Sequence, residues 1–217
     1  MYIRNNRLSA CLKGLISLSA FLGILLQCGV FSGSLNLTVL TDYTMMSNVA
    51  CAAYYLPAAI YQARKGETLL PKWKGALVMC ITVTGLVYQT LLSGRFEMQG
   101  TLLLSTLLLH YVVPVACVLD WLLFDRKGRY SWKMPLAWML APGAYFVFVM
   151  VAVRLGAHLG PYGEKYPYFF MDVDTLGFGM VLLIALAMGV FFIILGYLLV
   201  LLDHKLGKRE ESRLEKG

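Results

Sequence analysis

Long apolar runs separated by short polar segments dominate this chain of 217 residues. A helix that spans a bilayer needs about 20 predominantly apolar residues, and six runs reach that length. The pattern therefore predicts one membrane domain over residues 1–217, an all-α integral membrane protein built as a six-transmembrane-helix bundle. The predicted spans are about 8–30, 35–63, 73–92, 100–124, 136–155 and 175–202, followed by a charged tail at 203–217.

The composition favours a membrane protein over a soluble one. Hydrophobic residues make up 59% of the chain and charged residues only 14%, against about 25% charged residues in an average soluble domain. The first apolar run has a basic flank, as a signal peptide does, but it is longer than a signal-peptide core and no small-residue cleavage site follows it. We therefore expect this run to remain as the first span.

Basic residues are unevenly distributed between the two predicted sides of the membrane. Of 19 Lys and Arg residues, all but three fall in four segments, namely the amino-terminal flank, the second loop, the fourth loop and the tail. Lys13 is counted with the flank and Lys74 with the second loop. The three exceptions are Arg95, Arg154 and Lys165. The positive-inside rule then places both termini in the cytoplasm. No soluble segment interleaves basic residues with stacking aromatics, so we expect no nucleic-acid partner.

The cysteines and histidines do not form a metal motif. The five cysteines lie within or at the ends of apolar runs, without C-x-x-C spacing, and the other two histidines stand alone in a loop and near the tail. This pattern is typical of small buried residues rather than of a disulfide framework or a zinc site. We expect no metal and no cofactor.

His110 is the most informative residue of the chain. It lies within the apolar run from Gly100 to Pro114, at a depth where an ionisable side chain is costly and usually marks a functional site. Pro114 has no N–H, so the carbonyl of His110 loses its usual partner within the helix. The residues therefore predict a polar site inside the fourth span.

The second span carries a polar face. Thr44, Ser47 and Asn48 follow i, i+3, i+4 spacing and so share one side of a helix. Such a face can line a polar pocket, or it can join helices through hydrogen bonds. Thr44 lies about nine residues below Leu35, and His110 about ten below Gly100, which places both about 13–15 Å from the outer ends of their helices. The two residues can share a layer if the helices are neighbours.

Other polar residues offer supporting roles. Asp42 could orient His110 or lie solvated at the helix mouth, and Gln89 could face the same layer from the third span. Asp120 lies about 15 Å from His110 along the fourth span, where capping or pairing with a basic loop residue is the simpler interpretation. The aromatic loop 156–174 could cap a cavity or anchor the protein at the interface.

A hydroxyl beside an imidazole is the minimum required for nucleophilic catalysis. The imidazole accepts the hydroxyl proton as the oxygen attacks a carbonyl, and then returns the proton to the leaving group. Thr44 and His110 would fill these two roles, with Ser47, Asn48 or Gln89 donating hydrogen bonds to the oxyanion. No G-x-S-x-G elbow is present to suggest a serine hydrolase instead.

Several of these residues together resemble a known family. They are Tyr43, Thr44, Ser47, Asn48, His110, Pro114, Asp120, Trp121, Phe124, Tyr166, Pro167, Tyr168 and Asp172. The pattern resembles the bacterial six-span relatives of the androgen-induced and androgen-dependent tissue-factor-pathway-inhibitor-regulating membrane hydrolases. Animal members hydrolyse fatty acid esters of hydroxy fatty acids with an intramembrane threonine nucleophile and a histidine. By position, the resemblance implies that these are Thr44 and His110, in a protein of the plasma (inner) membrane.

Three hypotheses follow. The first is an intramembrane lipid esterase that takes a lipid ester from the bilayer and contacts membrane lipids. The second is a transporter or lipid-binding protein that uses the same polar layer without hydrolysis. The third is a structural or assembly protein without chemistry. The natural ester stays open, because Ser47-Asn48 and Asp120-Trp121 depart from the animal enzymes, and the sequence does not indicate the oligomeric state.

Overall fold

A computed structural model describes residues 3, 5–94 and 99–214. The prediction of an all-helical protein is confirmed: 77% of the chain is helical, and the described residues contain no strand. Six long helices form the bundle. They are α1 (Asn6–Gln27), α2 (Tyr43–Lys65), α3 (Pro71–Leu92), α4 (Gly100–Phe124), α5 (Met134–Arg154) and α6 (Phe178–Leu214).

Five of these helices are long and apolar enough to cross a membrane, namely α1, α3, α4, α5 and α6. Helix α2 has a comparable length of 23 residues, but its amide, hydroxyl and tyrosine side chains lower its hydropathy. The described chain is therefore a multi-pass membrane protein with five helices suited to span a bilayer.

Helix α2 begins at Tyr43, so the prediction of a helix from Leu35 was wrong. Gly29 and Gly33 adopt positive φ angles of 75° and 72° and turn the chain after α1. A 3₁₀ turn at Thr38–Thr41 then leads into α2. Thr44 is consequently the second residue of its helix. The prediction that Thr44 lies about 13–15 Å below the outer end of its helix was therefore wrong.

Helix α6 is longer than its predicted span. It continues as one helix from Phe178 to Leu214, whereas the sequence predicted a span that ends near 202 and a separate tail. No proline follows Leu202 in this helix, and the Lys, Arg, Glu and Leu residues there favour helix enough to continue it through Gly207. Asp203 also ties this region to the fourth loop, because its carboxylate accepts from the amides of Arg129 and Tyr130 at 2.7 and 2.9 Å.

Helices α1 to α4 pack around the main core, and α6 borders it. A smaller cluster, formed by α5 and the loop that follows it, closes one end of the bundle around Tyr145, Val149 and Phe170. We call this the cavity end, because it carries the cavities described below. The opposite end is where α1 begins and α6 ends.

A buried cluster of charges lies toward that opposite end. Asp120 accepts a hydrogen bond from Lys13 Nζ at 2.7 Å and forms an ion pair with Lys74 Nζ at 2.5 Å, and all three side chains are fully buried. Lys74 also pairs with Asp125 at 2.7 Å. The predicted pairing of Asp120 with a basic loop residue is confirmed by Lys74. Lys13 and Lys74, which the charge pattern counts with the flank and the second loop, both point into the bundle, where the two carboxylates compensate for their desolvation. Arg4, Arg95 and Lys216 of the charge pattern lie outside the described residues.

Candidate active site

Two π turns face each other at the cavity end. Helix α3 finishes in a π turn at Tyr88–Leu92, and α4 contains another at Leu108–Val112. Each turn widens its helix locally and redirects side chains, as π bulges at functional sites commonly do. The Tyr88 ring stacks on the His110 imidazole with centroids 3.9 Å apart. The two helices therefore hold the imidazole between them.

The orientation of His110 defines which nitrogen is free to act as a base. Its Nδ1 lies 3.2 Å from the carbonyl oxygen of Thr106. Because a carbonyl can only accept, Nδ1–H donates this bond, and in the neutral ring Nε2 carries the lone pair. The carbonyl of His110 lies against α3, where a Cβ at Gly85 would come within 2.9 Å of it. A side chain at position 85 would therefore collide with this carbonyl.

Thr44 and His110 line the same cavity, which has a volume of about 420 Å³. We call it the outer cavity. Thr44 is the second residue of α2, so its amide lies in the first turn, where helix N–H groups lack partners within the helix. This amide donates to the hydroxyl oxygen of Tyr168 at 3.4 Å. The cavity therefore holds a threonine hydroxyl, an imidazole and a phenol.

Asn48 joins the two halves of the site. Its Nδ2 donates to the Thr44 carbonyl at 2.8 Å and to the carbonyl of Leu109, the residue before His110, at 3.3 Å. The side chain is fully buried. One amide group thus links the start of α2 to the π turn of α4, and its donors are occupied by backbone oxygens.

Ser47 has a similar joining role between α2 and α3. Its hydroxyl lies 3.0 Å from both the Thr44 carbonyl and the Thr84 hydroxyl, and the side chain is buried. Of the two interpretations of the polar face of α2, helix joining therefore describes Ser47 and Asn48, whereas Thr44 faces the outer cavity.

Asp42 lies at the floor of the outer cavity, immediately before α2. It occupies the N-cap position but makes no side-chain capping bond, and its Oδ1 is buried without a partner. Burial, and then the negative charge of Glu164, raise the pKa of Asp42 to about 7. A carboxyl group that changes charge near neutral pH thus lies two residues from Thr44.

The aromatic loop lies over the outer cavity. Pro161, Tyr166 and Tyr168 line the cavity from the loop side, and Asn36 holds the loop by donating to the Pro161 carbonyl at 2.7 Å. Burial raises the pKa of Tyr168, which keeps the proton on its hydroxyl. The loop therefore contributes polar atoms as well as a cover.

Asp172 borders the outer cavity and also stabilises the end of the loop. Its carboxylate caps the one-turn helix Val173–Leu176 by accepting from the amides of Asp174 and Thr175. The Thr175 hydroxyl donates to it at 2.7 Å, and this bond lowers the pKa of Asp172. Its contacts make it a capping residue.

Besides Ser47 and Asn48, three other residues proposed for the site from sequence lie away from the outer cavity. Gln89 is exposed and accepts from the Tyr111 hydroxyl at 2.6 Å. Asp120 belongs to the buried charge cluster. Tyr43 turns toward α5, with its ring 5.3 Å from that of Tyr145. None of the three has a polar atom in the wall shared by Thr44 and His110.

Sequence reasoning missed Tyr88, and it noted Tyr168 only within a motif. The stack of Tyr88 on His110 depends on two π turns, which leave no periodic signal in an apolar run. The contact between Tyr168 and Thr44 joins residues 124 positions apart, and only the fold brings them together. An aromatic residue beside Gln89 in an apolar span was the one available sign of Tyr88.

Together, Thr44, His110, Asp42 and Tyr168 place a hydroxyl, a base, a carboxyl group and a hydrogen-bond donor around one cavity. Within the described residues, no group of three or more His, Cys, Asp or Glu side chains is arranged to hold a metal ion. No protein-family model matches the chain, and no curated protein or solved structure matches it either.

Proposed function

We propose that this protein is an intramembrane hydrolase of lipid esters, with Thr44 as nucleophile and His110 as general base. The observation that carries the proposal is that both side chains line one cavity, while Asn48 links the backbone of Thr44 to that of Leu109, the residue before His110. Lipid is the proposed substrate class because the site lies at the ends of apolar helices, where an amphiphile can enter from the bilayer.

The proposed reaction has two steps. In the first, His110 Nε2 accepts the proton of the Thr44 hydroxyl while Oγ1 attacks the ester carbonyl, and the proton then passes to the departing alkoxide as the alcohol leaves. In the second, His110 takes a proton from water, the hydroxide attacks the acyl-threonine, and the proton returns to Thr44 Oγ1. The products are an alcohol and a fatty acid.

Tyr168 is the proposed oxyanion donor. Its oxygen accepts from the Thr44 amide, so its own O–H is directed elsewhere and can donate to an oxyanion formed beside Thr44. Ser47 and Asn48 are less suited to this task because their donors are occupied by Thr44, Thr84 and Leu109. Gln89 is less suited because it lies outside the cavity.

In the proposed topology, α2 crosses the membrane in addition to the five apolar helices, which gives six spans. The protein lies in the plasma (inner) membrane, and both termini are in the cytoplasm. Helix α2 has 23 residues, about 34 Å at the usual rise, which is enough to cross the apolar layer. Basic residues near the ends of α2 and α6, among them Arg64, Lys65 and Lys205, lie on the side that the positive-inside rule assigns to the cytoplasm.

A lipid-binding or transport protein is the second candidate. Asp42 and His110 are two titratable groups in one cavity, and they could bind a head group or pass a proton without cleaving an ester. The two proposals differ in whether Thr44 forms a covalent bond.

Hydrolysis by the purified protein separates the candidates. The substrate is a palmitate ester of 12-hydroxystearic acid in nanodiscs, and the variants are Thr44→Ala and His110→Ala. Thr90→Ala and His204→Ala are matched controls, since neither residue lines the cavity. The hydrolase proposal predicts losses in kcat of at least about 100-fold for the first pair and changes within about twofold for the controls. Equal rates in all five proteins would exclude the roles of Thr44 and His110.

A further inference from the structure

A second cavity adjoins Thr44 on the side away from His110. It has a volume of about 280 Å³ and lies among the cavity ends of α2 and α3, the loop after α5, and the facing sides of α5 and α6. We call it the inner cavity. Val83, Phe146, Val181 and Phe192 are representative of its mainly apolar lining.

The two cavities meet at shared residues. Thr44, Leu92 and Tyr168 line both of them. The proposed nucleophile, Thr44, therefore lies where the outer and inner cavities meet, at the first turn of α2. A molecule that occupied both cavities would pass Thr44 at the point where it crosses from one to the other.

The walls of the two cavities differ in charge. The outer cavity is bordered by the charged side chains of Asp42, Glu164, Lys165, Asp172 and Asp174. The inner cavity has no Asp, Glu, Lys, Arg or His in its lining, and its polar side chains are hydroxyls near Thr44. Polar groups favour the first space and hydrocarbon favours the second, since burial of unpaired polar groups is unfavourable.

The inner cavity exists because small residues leave space between α5 and α6. A Cβ added at Gly143 would meet no atom within 4 Å, and one at Gly189 would meet only the end of Met139 at 3.4 Å. The long part of α5, Leu140–Arg154, makes few close backbone contacts with α6. Leu182, Leu186 and Phe191 of its lining are exposed, so the space opens between the helices as an apolar groove that is suited to an apolar chain entering from the bilayer.

We infer that the inner cavity binds the acyl chain of the substrate, and that the outer cavity holds the alcohol portion and releases it beneath the aromatic loop. This inference rests on the proposed function, because the position of the ester bond is set by Thr44. It assigns the substrate class as an amphiphilic ester with one linear acyl chain on the carbonyl side and a polar group on the alcohol side.

Ala185 and Ala187 offer a matched pair of positions for a test. Ala185 lines the inner cavity, whereas Ala187 is exposed on the same helix and lines none of the cavities described here. Ala185→Phe fills part of the inner cavity, and Ala187→Phe adds the same side chain outside it. Both variants are first compared with wild type for thermal unfolding, and Ala185→Leu replaces Ala185→Phe if the latter is destabilised.

The first measurement is the chain-length profile of hydrolysis with para-nitrophenyl butyrate and palmitate. We expect Ala185→Phe to lower kcat/KM for palmitate by at least about tenfold, since each buried methylene contributes about a factor of four. Butyrate hydrolysis by that variant is expected to fall much less than palmitate hydrolysis, and both activities of Ala187→Phe are expected to stay within about twofold. Equal losses for the two esters would overturn the assignment of the acyl chain to the inner cavity.

The second measurement does not depend on catalysis. Palmitic acid with a diazirine near its methyl end is crosslinked to the protein, and the labelled peptides are mapped by mass spectrometry with and without excess palmitate. We expect competable labelling of α5 and α6 that Ala185→Phe reduces and Ala187→Phe retains. Labelling confined to the loop 161–169 would place the acyl chain in the outer cavity and overturn the proposed orientation of the substrate. Labelling of α5 and α6 without any hydrolysis would remove the proposed reaction but leave the acyl site.

Discussion

The imidazole of His110 stacks on the ring of Tyr88, with the two planes inclined by 28°. The Nδ1–H of the same imidazole donates to the Thr106 carbonyl. A ring that is fixed on one face and at one nitrogen has little freedom to rotate. The proposed base therefore presents Nε2 in a defined direction before any substrate binds, which reduces the entropy lost in reaching the reactive geometry.

Replacement of Tyr88 tests the role of this stack. Tyr88→Leu removes the aromatic face and is expected to lower kcat by about two- to tenfold, in line with the usual strength of aromatic pairs. Tyr88→Phe keeps the face and should hydrolyse the ester at nearly the wild-type rate. Steady-state kinetics of the two variants check the prediction, and a greater loss in Tyr88→Phe than in Tyr88→Leu would show that the hydroxyl matters and the stack does not.

Asn48→Ala should impair both stability and turnover. The change leaves the buried carbonyls of Thr44 and Leu109 without the amide donor, at a cost of about 1–3 kcal/mol in the free energy of unfolding. It also removes the link that fixes Thr44 relative to the π turn, so kcat should fall while KM changes little. Ser47→Ala is the control, since Ser47 hydrogen-bonds α3 rather than α4. The idea fails if Ser47→Ala lowers kcat as much as Asn48→Ala.

Tyr168→Phe tests the oxyanion donor. Loss of a single donor of this kind commonly lowers kcat by about 10²–10³, and we expect a value in that range with an intact fold. Tyr166→Phe is the matched control, because Tyr166 also lines the outer cavity but belongs to no proposed step. Turnover numbers for both variants, measured with the same ester, distinguish a residue that donates a hydrogen bond to the oxyanion from one that only lines the cavity.

The buried charge cluster should dominate the effect of charge on stability. Asp120→Ala leaves Lys13 and Lys74 buried without their shared partner, and we expect a loss of about 3–5 kcal/mol in the free energy of unfolding. Asp174→Ala breaks the Lys165–Asp174 pair and should have a far smaller effect, because both side chains are exposed and water screens their charges. Unfolding titrations in detergent provide both values, and similar losses would contradict the burial argument.

Asp42 should make the protein less stable as the pH rises toward neutrality. Its pKa of about 7 in the folded protein exceeds the value of about 3.9 expected when unfolded. The folded state therefore binds more protons between about pH 4 and 7, and the free energy of unfolding falls as the pH rises through that window. Asp42→Asn should flatten this part of the profile. Asp172→Asn should leave this window unchanged, because folding lowers the pKa of Asp172 and its contribution to stability therefore changes only below about pH 4.

The parts of the fold set by hydropathy could be predicted from sequence. Helix α4 covers Gly100–Phe124 as expected, because an uninterrupted apolar run of that length has few alternatives in a membrane. The start of α2 could not be predicted in this way. Leu35 and Leu37 are as apolar as helix residues, but the turns that precede Tyr43 expose them instead. Local hydropathy does not distinguish these two arrangements.

The site itself was predictable only in part. The chemistry of His110 and Thr44 could be predicted from their residue types in apolar surroundings. That they share one cavity depends on the packing of α2 against α4, which the sequence does not reveal. The buried position of Lys13 was not predictable, since a lysine near the start of a span ordinarily extends to the interface. Its ammonium stays inside because it donates to Ser9 and pairs with Asp120, 107 positions away.

Covalent trapping of the nucleophile tests the central claim most directly. Purified wild-type protein is treated with an alkyl fluorophosphonate, and the modified residue is located by peptide mass spectrometry, with Thr44→Ala and Thr90→Ala treated in parallel. The account predicts one adduct on Thr44 in the wild type and in Thr90→Ala, and none in Thr44→Ala. Full labelling of Thr44→Ala, or an adduct at another residue in the wild type, would contradict it.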